Sequence, residues 1–369
     1  MTTVTGAAPG ATAGSAWAST PRTARSTATI AARGLLGRDA EGRLPVVVSF
    51  RWIEAARLAT LRDGTYDGRL VVVGPDGNSC APAPVATMQE ALEQWDSVAP
   101  SLGAIKTFPD QIVPADLRAP LPRAWQWLDG SVYPSHGELM DKALGIEPFK
   151  PDWPPMYQGL SDTFYAPSAD VPMASEDLGI DFEGEFGIIT ASVPMGTPAV
   201  EAGRYIRLVV QINDWSLRKL AGPEMKSGFG WIQAKPPCGM APFAVTPDEL
   251  GPAWQDHRPA MNLLVHWNGT QFGNADGAAM AYGFHELIAH AARTRNLVAG
   301  TVIGSGTVSN PNYREVGSSC IAERRGIEIV DFGAPRTEFM RYGDTVRMEA
   351  RTRDGRSPFG VIEQKVVQP

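Results

Sequence analysis

The run Asp181-Phe182-Glu183-Gly184-Glu185-Phe186-Gly187-Ile188-Ile189-Thr190 governs the reading of the chain. Its aromatic and β-branched residues mark a strand, in which side chains two apart project to one face, so Glu183 and Glu185 lie side by side. Adjacent like charges are costly unless something positive sits between them. A solvent-facing edge strand would carry the same pair without any ligand, so the decision rests on which other groups join them. Asp214 closes the strand-like run Arg207–Ile212 and opens the helix-like Trp215–Leu220. That is a strand-end position where functional carboxylates often sit, and also one where an aspartate simply caps a helix. Three or four carboxylate oxygens without neighbouring Cys or His suit a hard divalent ion (Mg²⁺, Mn²⁺ or Ca²⁺) better than zinc or copper.

Working outward, further strand-like runs follow at short intervals: Ile206–Ile212, Met261–Trp267, Gly300–Val308, Ile327–Val330 and Asp344–Ala350. One helical pattern, Phe284–Arg295, interrupts them. The expected class is α+β, mainly β, with a closed or rolled sheet. His285 and His290 superficially suggest a zinc motif, but a spacing of five turns the second imidazole about 140° from the first, so zinc is rejected. Toward the N-terminus, Leu44–Phe50 and Leu70–Val73 read as strands, Gly74–Gly77 as a turn, and Thr87–Trp95 as a helix with Thr87 as N-cap. The proline-rich passage Pro109–Pro122 reads as a linker. The division expected is a disordered tail over 1–33, rich in Ala, Thr, Ser, Gly and Pro, a small α+β domain over 34–115, and a catalytic domain over 116–369.

Composition narrows the partners. The 369 residues are 43% hydrophobic and 20% charged with a net charge of -7, which argues against a nucleic-acid surface or an anionic-membrane anchor and for a small-molecule partner. No apolar run approaches the roughly 20 residues that cross a bilayer. Cys80, Cys238 and Cys320 are odd in number and lack CxxC spacing, so a disulfide framework is not expected and a reducing cytoplasm fits.

DFEGEFGIIT (181–190), VVQINDWSLRKL (209–220), AKPPCGMAPFAVTPDEL (234–250), VIGSGTVSN (302–310) and RYGDTVRME (341–349) occur in the order found in the fumarylacetoacetate hydrolase family, which the chain resembles over about 125–369. The resemblance implies a distorted, mainly β roll as catalytic domain and metal ligation by Glu183, Glu185 and Asp214. Trp127-Leu-Asp129-Gly-Ser-Val-Tyr133-Pro-Ser-His136 reproduces the family interval between a further Asp ligand and a catalytic His, which makes Asp129 the fourth ligand and His136 the base. Asp162, in a loop that also resembles the family near its site, is the rival ligand. Glu323 matches the acid that orients the base, whereas Glu138 falls one position early in the Y-x-x-H-x-x-E pattern of shorter members. Lys235 matches the family's active-site lysine, with Lys226 as a nearby decoy.

Arg218, four residues after Asp214, is placed to reach a substrate carboxylate or to pair with that aspartate on one helix. Thr307 sits in a tight turn whose N–H groups and hydroxyl can hold a carboxylate. Ala221 stands where the eukaryotic enzyme has a substrate-contacting glutamine, so substrate identity is not carried over. The implied activity is a metal-dependent hydrolase that cleaves a carbon–carbon bond in a dioxo acid, an acylpyruvate or a fumarylacetoacetate-like compound, through a metal-bound enolate. Decarboxylases, isomerases and hydratases of 2-oxo acids share that core and are the alternative. Aromatic-compound catabolism and a homodimer are also implied.

Overall fold

The computed structural model describes residues 55–145, 147–148 and 151–369. The tail over 1–33 and the strand expected over Leu44–Phe50 lie outside them. Among the described residues the larger sheet has eleven strands. At its centre Gly184–Thr190 and Ile206–Asn213 run antiparallel, with Glu185 opposite Ile212. Val302–Gly304 pairs antiparallel with Gly184–Thr190 and parallel with Trp127–Gly130, which is followed by Met156–Gly159. Beyond Ile206–Asn213 lie Ala244–Val245, Arg57–Leu61, Arg69–Val73, Ser79–Pro82 and Asp110–Gln111. The strands before residue 112 therefore continue the same sheet.

A five-stranded sheet runs in the order Thr270–Asp276, Asn262–Trp267, Thr345–Arg351, Val361–Val367, Asp170–Pro172. The two sheets share one apolar core, which draws Phe186 and Ile188 from the first and Leu263, Val265, Met348 and Ile362 from the second. Gly184 is a condition of that approach, because a Cβ there would stand 2.8 Å from Leu263 Cδ2. The fold is the mainly β α+β class expected.

Several elements differ from their sequence reading. Ile327–Val330 is not a strand but part of the helix Ile321–Phe332, capped by Cys320 and closed by Gly333 at φ +82°. Its alternating apolar letters hide a helical period, since Ile321, Glu323, Gly326 and Ile327 are the buried positions. Of Gly300–Val308 only Val302–Gly304 is strand, and just past its end Gly306 donates its N–H to Asp129. Trp215–Leu220 is not one helix: Ser216–Leu217 pairs with Ile180–Asp181, and the helix begins at Arg218. Thr87 caps the helix Met88–Glu93 as its sequence indicates, accepting from Glu90 N–H at 3.1 Å. Among the described residues no helix is long and apolar enough to cross a membrane.

Candidate metal centre

The larger sheet gathers four carboxylates at the ends of its central strands. Asp129 comes from Trp127–Gly130, Glu185 from Gly184–Thr190, Glu183 from the residue before that strand, and Asp214 from the residue after Ile206–Asn213. Asp214 N–H donates to the Glu183 carbonyl at 2.9 Å, which joins the two strand ends. All four residues are buried, and each offers an oxygen within 4.8 Å of those of the others.

Repulsion among these groups is only partly offset. Lys235 Nζ lies 2.9 Å from Glu183 Oε2 and 2.6 Å from Asp214 Oδ2. Arg218 reaches Glu183 Oε1 at 2.5 Å and Asp181 Oδ2 at 2.7 Å. The Tyr157 hydroxyl and the Cys238 thiol donate to Asp214, the Ser216 hydroxyl to Glu183, and Gly306 N–H to Asp129 at 3.1 Å. Burial would raise the Glu183 carboxyl, but Lys235 and Arg218 outweigh it and hold it well below the usual range. Burial and the charge of Asp214 push Asp129 up, and burial with Asp129 and Asp214 does the same to Glu185. Among the described residues neither buried Glu185 oxygen has a hydrogen-bond partner. A hard cation matches this donor set, because among the described residues Lys235 acts on Glu185 only from a distance, without a hydrogen bond, and an ion would bond its oxygens directly.

A second group of side chains borders the cluster. His136 lies in the first turn of the helix Pro134–Leu144, with Nδ1 4.0 Å from Glu323 Oε1. The Ser309 hydroxyl donates to that same Glu323 oxygen, and Ser135 donates to Ser309 at 2.9 Å. Burial lowers His136 to about 4 against the pull of Glu183, and burial raises Glu323 to about 7 against its hydrogen bond from Ser309. Asp181 ties the two groups together: it accepts Ile321 and Ala322 N–H at 2.7 and 2.9 Å, at the start of the helix that carries Glu323, and it also binds Arg218.

The structure thus brings Asp129, Glu183, Glu185 and Asp214 together, with Lys235 and Arg218 on their oxygens and His136 facing Glu323. Arg218 does not share a helix with Asp214 as its spacing suggested, since its guanidinium crosses to the strand residues Asp181 and Glu183. Thr307 is buried in the turn after Val302–Gly304, where the neighbouring Gly306 supplies the N–H to Asp129. Asp162 and Lys226 are exposed. Glu138 lines a separate cavity of about 390 Å³ with Lys142 and Tyr313. Sequence reasoning missed Tyr157, Cys238, Ser216, Ser309 and the bridging role of Asp181. Of these only Asp181 had a visible signal, a third acid in the DFEGE run.

One glycine controls the packing of a cluster residue. A Cβ on Gly304 would overlap Asp129 Oδ1 and the Trp127 ring. Gly304→Ala is expected to cost about 1–3 kcal/mol from overpacking and to weaken the thermal stabilisation by added Mg²⁺ or Mn²⁺. Melts that match the parent in both respects would show that Asp129 tolerates displacement.

A mainly β two-sheet fold with a buried carboxylate tetrad defines the class of protein in structural terms. Residues 126–367 match the fumarylacetoacetate (FAA) hydrolase C-terminal family and residues 56–123 match fumarylacetoacetase N-terminal domain 2. The chain belongs to the fumarylacetoacetate hydrolase family. It is 28% identical over 213 residues to a fumarylacetoacetase from Caenorhabditis elegans, covering 50% of each chain. With the Dictyostelium discoideum fumarylacetoacetase it shares 26% over 206 residues, 45% of this chain and 46% of that one. The match spans about half the length of these curated relatives. Among solved structures, a fumarylacetoacetate hydrolase from Exiguobacterium antarcticum superimposes with a TM-score of 0.58 at 17% identity, over 86% of this chain and 100% of the other. A 5-carboxymethyl-2-hydroxymuconate delta-isomerase from Mycobacterium smegmatis gives 0.54 at 18%, over 85% and 98%. These two likenesses show the fold.

Proposed function

We propose that this chain is a divalent-metal-dependent hydrolase that cleaves the carbon–carbon bond of a small dioxo acid of the acylpyruvate kind. The observation that carries the reading is the buried carboxylate tetrad, in which Glu185 has no hydrogen-bond partner among the described residues, set beside a half-buried imidazole that faces a carboxylate. Asp129, Glu183, Glu185 and Asp214 would hold Mg²⁺, Mn²⁺ or Ca²⁺. Such an ion polarises a substrate carbonyl and neutralises negative charge that develops on its oxygen.

The remaining steps belong to the protein's own side chains. His136, neutral because burial keeps its pKa low, takes a proton from water, and Glu323 steadies the imidazolium. The water oxygen bonds to the acyl carbon, the bond between that carbon and the methylene of the pyruvoyl arm breaks, and the methylene takes up a proton. One carboxylic acid and one 2-oxo acid leave. Lys235 stabilises the oxyanion or delivers the proton to the leaving carbon, and Arg218 and Thr307 receive the substrate carboxylate. A homodimer is proposed on family grounds.

Product analysis with acylpyruvates and added Mg²⁺ or Mn²⁺ tests the reading. Two carboxylic fragments in equal amounts are expected. Release of CO₂ with a single organic product would make the chain a decarboxylase, and absence of turnover across the series would overturn the assignment.

A further inference from the structure

Three side chains of different ligand type meet beside the carboxylate tetrad. His136, Cys320 and Glu323 each bring one donor atom within 4.8 Å of the other two. Among the described residues His136 Nδ1 and Glu323 Oε2 are both buried without a hydrogen-bond partner, so two of the three carry unfilled bonding capacity. The Glu323 side chain is 0% exposed and that of His136 is 19% exposed, so the imidazole edge is the way in. Cys320 is held in place as the N-cap of the helix Ile321–Phe332, its Sγ accepting from Glu323 N–H at 3.3 Å.

The donor set differs in kind from that of the tetrad. Four carboxylates favour a hard ion, whereas imidazole, thiolate and carboxylate together are the mixed set that borderline ions prefer. We propose that His136, Cys320 and Glu323 form a second metal site, selective for a transition ion of the zinc class, and that filling it stops turnover. The binding half of this inference stands on the three side chains alone. The inhibitory half rests on His136 being the base, since an imidazole bonded to metal cannot accept a proton from water.

The chemistry of occupancy is simple. The Cys320 S–H bond breaks, its proton leaves to solvent, and the sulfur lone pair bonds the ion; neutral His136 and ionised Glu323 add one bond each, and water fills the fourth tetrahedral position. No oxidation state changes. A thiol used only as a helix cap would be replaced without loss by serine, which is a better N-cap. Cys320→Ser therefore removes the soft ligand and leaves the helix start intact.

The experiment adds Co²⁺, then Zn²⁺, to the Mg²⁺-saturated full chain. Expected are a near-ultraviolet thiolate-to-cobalt charge-transfer band with the visible bands of a tetrahedral site, both erased by Zn²⁺, and inhibition by Zn²⁺ that excess Mg²⁺ does not relieve. In Cys320→Ser the charge-transfer band is lost and Zn²⁺ inhibition weakens by at least about 10–100-fold, the cost of losing a group that only supports a ligand. Cys238→Ser keeps the band. Absence of the band in the parent, its loss in Cys238→Ser instead, or equal Zn²⁺ inhibition in Cys320→Ser would overturn the proposal; the last would assign the inhibitory zinc to the carboxylate tetrad. If no acylpyruvate is turned over, the cobalt spectrum still decides the binding half, so the two readings fail separately.

Discussion

Replacement of His136, the proposed base, by alanine is expected to lower turnover by about 10²–10⁴-fold, the range set by loss of a positioned general base, with Mg²⁺ affinity unchanged because the imidazole is not among the four carboxylates proposed to hold the ion. Its partner supplies the pH dependence. Burial raises Glu323 from 4.5 to about 7, so the carboxylate proposed to steady the imidazolium forms near neutrality, and kcat should climb with pH through that region. Glu323→Gln keeps the shape and should remove the limb. Stability moves the other way. A carboxylate whose folded pKa is raised binds more protons folded than unfolded between about 4.5 and 7, so its penalty grows as pH rises through that window and is complete above it. The shift corresponds to a penalty on the order of 3 kcal/mol at pH 8, which Glu323→Gln should relieve. Kinetic profiles and melts at pH 5 and 8 are the measurements. A glutamine variant with an unaltered profile and no gain in stability at pH 8 would remove Glu323 from the mechanism.

The strand content was legible because Gly184–Thr190 and Ile206–Asn213 carry β-branched runs and Thr345–Arg351 alternates Val346, Met348 and Ala350 with polar residues, patterns that no helix period explains. Ile321–Phe332 was not, since Ile327-Glu-Ile-Val330 alternates as a strand does, and only the long-range placement of Cys320 and Asp181 at its start reveals a helix. The same division applies to the candidate site. Two glutamates two apart announce themselves, and the Asp129-to-His136 interval is local. Tyr157, Cys238 and Ser309 enter through contacts with Asp214 and Glu323 spanning 57, 24 and 14 residues. Nothing in their neighbours' identities points to those partners. Arg218 shows how local spacing misleads: four residues from Asp214 suggests one helix face, but a two-residue strand intervenes and turns the guanidinium toward Asp181.

Glu185 provides the sharpest separation between a metal ligand and an ordinary buried acid. Its carboxyl is 0% exposed, has no hydrogen-bond partner among the described residues, and is driven up by burial and by Asp129 and Asp214. In metal-free protein at neutral pH it therefore subtracts from stability, and the subtraction grows as pH rises above the unfolded carboxyl value of about 4.3. Glutamine fills the same volume and can donate its amide to the neighbouring carboxylates. Removal of a buried carboxyl that the site makes hard to ionise is expected to stabilise the metal-free chain at neutral pH by about 1–4 kcal/mol. With saturating Mg²⁺ or Mn²⁺ the order reverses, since the parent gains a binding term that the variant, one anionic ligand short, largely forgoes. Melts with chelator and with metal should therefore cross: Glu185→Gln above the parent without metal, below it with metal. An acid that merely packs in the core would give a variant displaced in one direction under both conditions, and that result would remove Glu185 from the metal centre.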